Sequence, residues 1–413
     1  MTQKQSKNFS VLNNINKEVQ RQENTLNFIA SENIIPKNIL KASGSILMNK
    51  YAEGYPFKRY YSGNKFIDKI EDIAIKRAKS VFKADHANLQ PHSGSSANMA
   101  TYFALTNWLK KGKKILSMGL DQGGHLSHGS KVSFSGKLFQ VDFYNLDKKT
   151  YRIDYNKVEE KAKQFKPDIL VSGASAYPRE IDFKKFQKIA DNVGAYHVAD
   201  IAHIAGLVAA GFHQNPVALV DVVTGTTQKT LKGPRGGFIL CKDKHKKKIN
   251  KAVFPGIQGG PLENIIAGKA ICFKNAKSKS FKKYQKQVIQ NAKVLAKTLI
   301  NNGLDVLTNG TDNHLVIVDL SNLGLAGKKA EDILEKSFIT VNKNMIPYDK
   351  KSPQNPSGIR FGTPYVTSQG LKEKQIKKIA NIISLLLKEK GKESIQKRAK
   401  NLVLSICKEF PIY

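Results

Sequence analysis

Between residues 114 and 240 short apolar runs alternate with stretches of helical period, and this alternation constrains the fold more than any other feature. The runs 114–118, 138–144, 168–172, 196–199, 220–224 and 237–240 read as strands, and 155–164 and 183–193 read as helices between them. Short buried strands joined through helices build an α/β layer on a mainly parallel sheet. Upstream, Pro36 opens a helix to about residue 48, and Phe66, Ile70, Ile73, Ala74 and Ala78 recur at helical spacing over 65–82. A short strand at 87–89 leads to a helix with SGSS at its start. From 276 a lysine-rich helix is expected to 301, then strands near 305 and over 315–320, a helix at 328–337, a strand at 339–341 and a terminal helix from Leu371. The expected organisation is an N-terminal arm (1–50), a large domain (51–275) and a smaller C-terminal α/β domain (276–413), with no repeats and no low-complexity linker.

Composition narrows the function classes. A chain of 413 residues with 40% hydrophobic content can bury a large core. It holds no apolar run of about eighteen residues, so no membrane partner is expected, and its polar start lacks the apolar core of a signal peptide. Three scattered cysteines, Cys241, Cys272 and Cys407, suit neither a disulfide framework nor a zinc site and point to a cytoplasmic location. The net charge of +35 raises the alternative of a nucleic-acid-binding protein. Lysine far outnumbers arginine, however, and is scattered, as in KKGKK at 110–114 and KHKKK at 244–248. Base readers favour the bidentate arginine fork, and no nucleic-acid motif is visible, so no specific nucleic acid is expected.

The chemistry gathers around VVTGTTQKTLKGPRGGFIL, 222–240. A single lysine, Lys229, lies between two strands, among hydroxyls and beside glycines. Such a lysine can be held partly neutral and attack a carbonyl. SGSSAN at 93–98 places amides and a glycine at a helix start, a phosphate-binding arrangement; taken alone, an ordinary N-cap by Ser93 or Ser95 is the favoured explanation. VADIAHIAGL at 198–207 puts Asp200 directly after a buried strand, where α/β sheets open onto their ligand crevice. Asp200 and His203 both qualify for that crevice, and taken singly a capping Asp and a packed His remain open. The set matches what pyridoxal 5'-phosphate requires: a lysine for the aldehyde, a carboxylate for the ring nitrogen, and amides and hydroxyls for the phosphate.

At this point the chain resembles the serine hydroxymethyltransferase family. The resemblance lies in YAEGYPFKRYY, QPHSGSSAN, GGHLSHG, VADIAH through AGLVAAG, KTLKGPRGG, VFPGIQGGP, GTDNHL, ITVNKN and SGIRFGTP, in the family's order, from about Gln22 to Tyr413. It implies the pyridoxal-phosphate fold type I, with a seven-stranded mainly parallel sheet in the large domain. It also implies a homodimer with shared active sites, and interconversion of serine and glycine with tetrahydrofolate as one-carbon carrier. A folate-independent 3-hydroxy amino acid aldolase on the same fold is the alternative, opposed by YAEGYP and GGHLSHG. By matching position, the resemblance makes Lys229 the lysine that binds the cofactor and Asp200 the partner of its ring nitrogen. Gly94, Ser95, Ser175, His203 and Tyr51 would also hold the cofactor, His125 would stack on the ring, and Gly259 and Gly260 would reach the phosphate from the neighbouring subunit. Arg360, whose flanking turn SGIRFGTP argues against a surface role, would bind the substrate carboxylate with Ser31. Glu53 would be the acid/base, with Tyr51 and Tyr61 beside it. Leu120, Gly124, His125, Leu126, Asn344, Ser352, Pro353 and Gln354 would lie along the folate with Glu53. No metal is implied.

Several positions depart from the family's pattern. Gly225 and Gln228 stand in a run that is usually four threonines and a histidine, and Asp121-Gln122 stand where Ala or Pro and His are usual. Ile257 replaces a glycine, Gln354 an aromatic residue and Lys65 an acidic one. Gln228, counted among the catalytic residues, keeps hydrogen bonding but cannot titrate. Gly225 and Gln228 are therefore expected to lower activity or widen side reactions such as cleavage of other 3-hydroxy amino acids. The change Gln228→His should raise the rate of serine turnover or its selectivity; unchanged values of both in the purified variant would refute the expectation.

Overall fold

A computed structural model describes residues 10–107 and 112–413, so the first residues of the expected arm and part of the lysine run at 110–114 lie outside the described residues. Two compact units form. One comprises 35–286 with 346–348; the other comprises the N-terminal residues to 34 together with 287–345 and 349–413.

The larger unit is built on seven strands: β1 (His86–Asn88), β2 (Lys114–Met118), β3 (Gln140–Tyr144), β4 (Ile169–Ser172), β5 (Tyr196–Asp200), β6 (Val222–Thr226) and β7 (Gly237–Cys241). Their order is β1-β7-β6-β5-β4-β2-β3. Strands β3, β2, β4, β5 and β6 pair in parallel, while β7 runs antiparallel to both β6 and β1. The sheet is mixed but mostly parallel, as the alternation of strands and helices dictates. Strands β4 and β6 are buried along their whole length, and β5 after its first residue, which requires runs such as Ile-Leu-Val-Ser in β4 rather than an alternating pattern. Local signals set the helices that cover it. Asp154 accepts from Asn156 N and Lys157 N to start the helix Tyr155–Phe165, and Asp182 accepts from Lys185 N to start Phe183–Val193. The helix α1 (Lys65–Phe82) buries Ile67, Ala74, Ala78 and Phe82 on one face, with Asp68 and Glu71 on the same side. Helix α2 (Gly94–Thr106) follows β1, and α3 (Glu263–Ala276) lies against α1.

The element boundaries differ from expectation in a few places. The strand expected over 138–144 starts at Gln140, as β3, and Leu138 is the last residue of a short helix, Phe134–Leu138. The apolar run 220–224 enters strand only at Val222. The helix expected from 276 is Lys279–Asn301, started at Ser278, whose hydroxyl accepts from Phe281 N at 3.1 Å, and α3 before it is a separate helix that the sequence reading does not contain. The terminal helix is also two, Glu373–Lys388 and Glu393–Glu409, and Gly391 between them has φ 79°.

The smaller unit holds a four-stranded antiparallel sheet of β8 (Asp305–Val306), β9 (Leu315–Asp319), β10 (Asn342–Asn344) and β11 (Gly358–Gly362), in the order β8-β9-β11-β10. SGIRFGTP, expected as a turn, is mostly this central strand β11, and Arg360 lies in its middle opposite Ile317 and Asn342. The apolar core there joins Val316, Val318, Ile359 and Phe361 to Leu26 and Phe28 from the N-terminal segment and to Ile376, Ile379 and Ile383.

Packing explains Gly225. In the β6–β7 ladder Gly225 faces Phe238. A Cβ on Gly225 would lie 2.3 Å from the Phe238 ring, which stacks on Phe82 at 5.4 Å and meets Phe273 edge-on at 5.9 Å. The aromatic occupies the space that a threonine side chain would need. Gly225→Thr should therefore cost about 1–3 kcal/mol of stability through overpacking. The double change Gly225→Thr with Phe238→Leu should recover part of that loss. Thermal unfolding of the four proteins of the cycle measures the coupling; additive losses would contradict the packing account.

Candidate active site

Loops at the C-terminal ends of the parallel strands carry a large group of the candidate residues, as the crevice rule for α/β sheets leads one to expect. Leu120, Gly124, His125 and Leu126 follow β2, Ser175 follows β4, Asp200 ends β5 with His203 just beyond, and Gln228 and Lys229 follow β6.

Asp200 is the hub. Its Oδ2 accepts from Asn98 Nδ2 at 2.9 Å and pairs with His128 Nε2 at 2.9 Å, while Oδ1 accepts from Ala202 N at 2.9 Å. Burial alone would raise its pKa. The hydrogen bond and charge of His128, the charge of His125 and the Asn98 amide outweigh burial and hold the carboxyl well below the usual carboxylate range. Asn98 reaches three motifs at once: besides Asp200 it donates to Ser127 Oγ at 2.8 Å and accepts from Thr224 Oγ1 at 2.6 Å. Ser127 Oγ in turn lies 2.7 Å from His125 Nδ1. Burial, followed by the charge of His128, brings the His125 pKa down to about 4 against the pull of Asp200, with Lys229 adding to the decrease. His125 is therefore uncharged near neutral pH, and it is close enough to Lys229 and Asp200 to feel both charges. Lys229 itself is buried at 9% exposure. His203 is buried, and its carbonyl accepts from Thr230 Oγ1 at 2.9 Å, which ties it to the segment after Lys229.

The helix start divides its labour. Ser93 is the cap, its hydroxyl accepting from Ser96 N at 3.1 Å, and this leaves Ser95 exposed in the first turn of α2. Ser175 N donates to Gly123 O at 2.8 Å, which holds the Ser175 loop against GGHLSHG. Gln228 Oε1 accepts from Gly236 N at 3.3 Å, across the turn that contains Lys229.

A second cluster in the same unit assembles Glu53, Tyr51, Tyr61, Gly259 and Gly260. Tyr51 Oη donates to Glu53 Oε1 at 3.4 Å, and the Tyr51 and Tyr61 rings meet edge-on at 5.4 Å. A Cβ built on Gly259 would lie 3.0 Å from Glu53 Oε1, and one on Gly260 would lie 3.4 Å from the Tyr51 ring. Buried side chains hold the backbone around Glu53. Arg59 Nη1 donates to Ala52 O at 2.9 Å and to Gly54 O at 3.2 Å, Gln90 Nε2 donates to Gly54 O at 2.9 Å, and Tyr60 N donates to Glu53 O at 3.0 Å.

The remaining candidates belong to the smaller unit. Arg360 is 9% exposed, its Nε donates to Asn342 Oδ1 at 3.1 Å, and burial lowers its pKa to about 10. Ser31 is half-buried. Asn344 Nδ2 donates to Met345 O at 2.6 Å, and Ser352, Pro353 and Gln354 are exposed, with Lys343 Nζ donating to Gln354 O at 2.8 Å.

Sequence reasoning missed Asn98 and His128. Both lie inside motifs it had singled out, SGSSAN and GGHLSHG, and the second histidine at three residues' spacing was the available signal. Gln90 and Arg59, which hold the Glu53 segment, gave no signal beyond their motifs.

A mainly parallel seven-stranded sheet, with an ionised buried aspartate at one strand end and a buried lysine after the next, places the chain among the α/β pyridoxal-phosphate enzymes of fold type I. The family model described as Serine hydroxymethyltransferase matches residues 4–383. A serine hydroxymethyltransferase of Methanospirillum hungatei JF-1 is 54% identical over 399 residues, covering 97% of this chain and 96% of the relative. The chain belongs to the serine hydroxymethyltransferase family.

The donor set fits the family's cofactor: an ionised, three-fold hydrogen-bonded carboxylate, a buried amine and a hydroxyl at a helix start. The change His128→Phe removes the main opposition to the effect of burial on Asp200, so the Asp200 pKa should rise. On acidification the cofactor's visible absorbance should then be lost at a higher pH than in the native enzyme. An acid titration followed at about 420 nm measures this, and an unshifted acid limb would contradict the role given to His128.

Proposed function

We infer that this chain interconverts serine and glycine with tetrahydrofolate as the one-carbon carrier, giving 5,10-methylenetetrahydrofolate. Pyridoxal 5'-phosphate supplies, when bound, an aldehyde that condenses with amino groups and a protonated ring that draws electrons from the substrate's α-carbon. The observation that carries the reading is Asp200: a carboxylate buried yet kept ionised, within one network with His125, and with Lys229 near enough to shift that histidine.

Each side chain then has a task. Lys229 would provide the amine that holds the cofactor's aldehyde. Asp200 keeps the proton on the ring nitrogen, because an ionised acceptor favours the charged donor. His125 presents a neutral ring for stacking, and His203 and Ser175 fix the cofactor's edge. Gly94 and Ser95 offer an amide and a hydroxyl to the phosphate at the start of α2. Arg360 takes the substrate carboxylate through its planar fork, with Ser31 assisting. Glu53, held at its backbone by Arg59 and Gln90, accepts or donates the proton at the hydroxymethyl oxygen or on the folate, with Tyr51 and Tyr61 beside it. Gln228 orients the Lys229 turn through Gly236 N. Leu120, Gly124, Leu126, Asn344 and Ser352 to Gln354 bound the folate.

The functional protein is proposed to be a cytoplasmic homodimer, with an N-terminal arm, a large cofactor domain and a small C-terminal domain as its working parts. Exposed apolar side chains support association. On the helix Val11–Glu23, Val11, Leu12, Ile15 and Val19 are 73%, 73%, 52% and 48% exposed, and in the larger unit Ile46, Met48, Tyr60 and Phe66 are 79%, 67%, 76% and 69% exposed. Patches of this kind mark interaction surfaces. All three cysteines are free and buried, which suits a reducing compartment. Among the described residues no helix is long and apolar enough to cross a membrane. Gly259 and Gly260 sit beside Glu53 of their own chain, so if the glycines reach a partner's phosphate, Glu53 serves that partner's site too.

Two measurements test this. Lys229→Ala should abolish the absorbance at about 420 nm and folate-dependent serine cleavage together; retained turnover would refute the assignment. Mixing and reassembling Lys229→Ala with Glu53→Gln chains should restore part of the activity that each lacks alone, because mixed dimers then hold one complete site. No recovery in proven mixed dimers would rule out a shared site.

A further inference from the structure

One buried lysine takes no part in the chemistry above. Lys269, on α3, is 2% exposed. Its ammonium has three protons and three carbonyl partners: Leu89 O at 2.7 Å, Gly237 O at 2.7 Å and Pro91 O at 3.2 Å. These carbonyls come from two segments. Leu89 and Pro91 lie on the chain that leads from β1 into Ser93 and the start of α2, and Gly237 opens β7 just after the Lys229 turn. The segments also meet directly, Gly237 N donating to Pro91 O at 3.0 Å. A Cβ on Gly237 would lie 2.2 Å from Ser93 O, so the two backbones approach more closely than any side chain would allow. Gln258 completes the clamp: its Nε2 donates to Gln90 O at 2.9 Å and its Oε1 accepts from His92 N at 3.1 Å. Every carbonyl from Leu89 to Pro91 is thus fixed immediately before the helix start.

An interior ammonium is costly to keep. Burial brings the Lys269 pKa down to about 7, while Glu71, Cys272 and Glu263 work in the opposite direction. A methionine would fill a similar volume without that cost, yet the chain places a cation where three carbonyls converge.

We propose that Lys269 is a positioning residue for the cofactor's phosphate: it fixes the backbone through Leu89 and Pro91 so that the start of α2, at Gly94 and Ser95, meets the phosphate preformed. The inference rests on the reading of that helix start as the phosphate site. It deepens that reading by giving the loop's shape to a side chain that never touches the cofactor.

The test compares pyridoxal 5'-phosphate with pyridoxal, which lacks the phosphate, binding to the apoenzyme. Lys269→Met should weaken pyridoxal 5'-phosphate about tenfold or more, as expected for loss of a charge-assisted hydrogen bond, and leave pyridoxal nearly unchanged. A merely structural role weakens both alike, and that result, or no change in either, overturns the proposal. Should Lys269→Met fail to fold, Lys269→Arg and Lys269→Gln carry the same comparison. The arginine variant keeps charge and donors and should hold the native affinity ratio better than the glutamine variant; equal ratios overturn the proposal. Ser95→Ala separates the two layers of the reading. If it lowers the ratio while the Lys269 variants do not, only the role of Lys269 falls. If neither lowers it, the phosphate site at the start of α2 falls as well.

Discussion

The larger unit depends on a buried carboxylate that must stay ionised. Asp200 ends a strand inside the protein, where an isolated charge would be strongly penalised. It survives there because Asn98, His128 and the Ala202 amide all point donors at it. Those donors arrive from a helix, from a loop after a different strand, and from the turn after its own strand. Satisfying one charge therefore fixes the relative position of SGSSAN, GGHLSHG and VADIAH. Through Thr224 the same network reaches β6, the strand that leads to Lys229. Such a network is costly when partly satisfied and rigid when complete, which suits a site that must hold a flat cofactor by several edges.

A second buried charge organises the Glu53 segment. Arg59 lies 2.8 Å from Asp68 and 2.6 Å from Glu71, with Glu263 at 3.6 Å. Burial raises the carboxyl pKa values of both Glu263 and Glu71, Glu71 raises that of Glu263 further, and the Arg59 guanidinium between them draws both partly back down. Buried ion pairs of this kind add little net stability, because desolvation consumes most of the attraction. Their effect here is geometric. Arg59 spends its remaining hydrogen-bonding capacity on Ala52 O and Gly54 O, the carbonyls on either side of Glu53. The proposed acid/base is thus half-exposed while its backbone is fixed from beneath, the combination a proton-transfer group needs.

The sheet was legible in the sequence because it rests on local rules, and the candidate residues it carries were named from their motifs. Buried parallel strands show as continuous apolar runs, Asp154 and Asp182 announce their helices, and the crevice rule puts chemistry after strand ends. What escaped reading depends on tertiary partners. Arg360 looked like part of a turn, since glycines flank it in SGIRFGTP, yet Gly358 and Gly362 end a central strand whose pairing comes from residues 315–319 and 342–344. Helix α3 escaped reading because Glu263, Asn264, Gly268 and Lys269 are buried along with its apolar residues, so no one-sided apolar stripe marks it. Asn98 and His128 were invisible as Asp200 partners because a hydrogen bond between residues separated by 102 and 72 positions leaves no periodic trace.

The positions that depart from the family's pattern do not all have the same meaning. Gly225 answers to Phe238, which fills its space from the neighbouring strand. Gln122 is 1% exposed, accepts from Leu146 N at 3.3 Å and donates to Asp121, so it serves the packing of the loop that carries His125. Both substitutions exchange one interior arrangement for another. Gln228 differs: it is only half-buried, and its side chain makes a long hydrogen bond to Gly236 N, beside Lys229. A titratable side chain there could exchange a proton with whatever binds at Lys229, whereas an amide can only orient it. Any difference in reaction preference between this enzyme and its relatives is therefore more reasonably sought at Gln228 than at Gly225, although the two stand three residues apart on the same strand and turn.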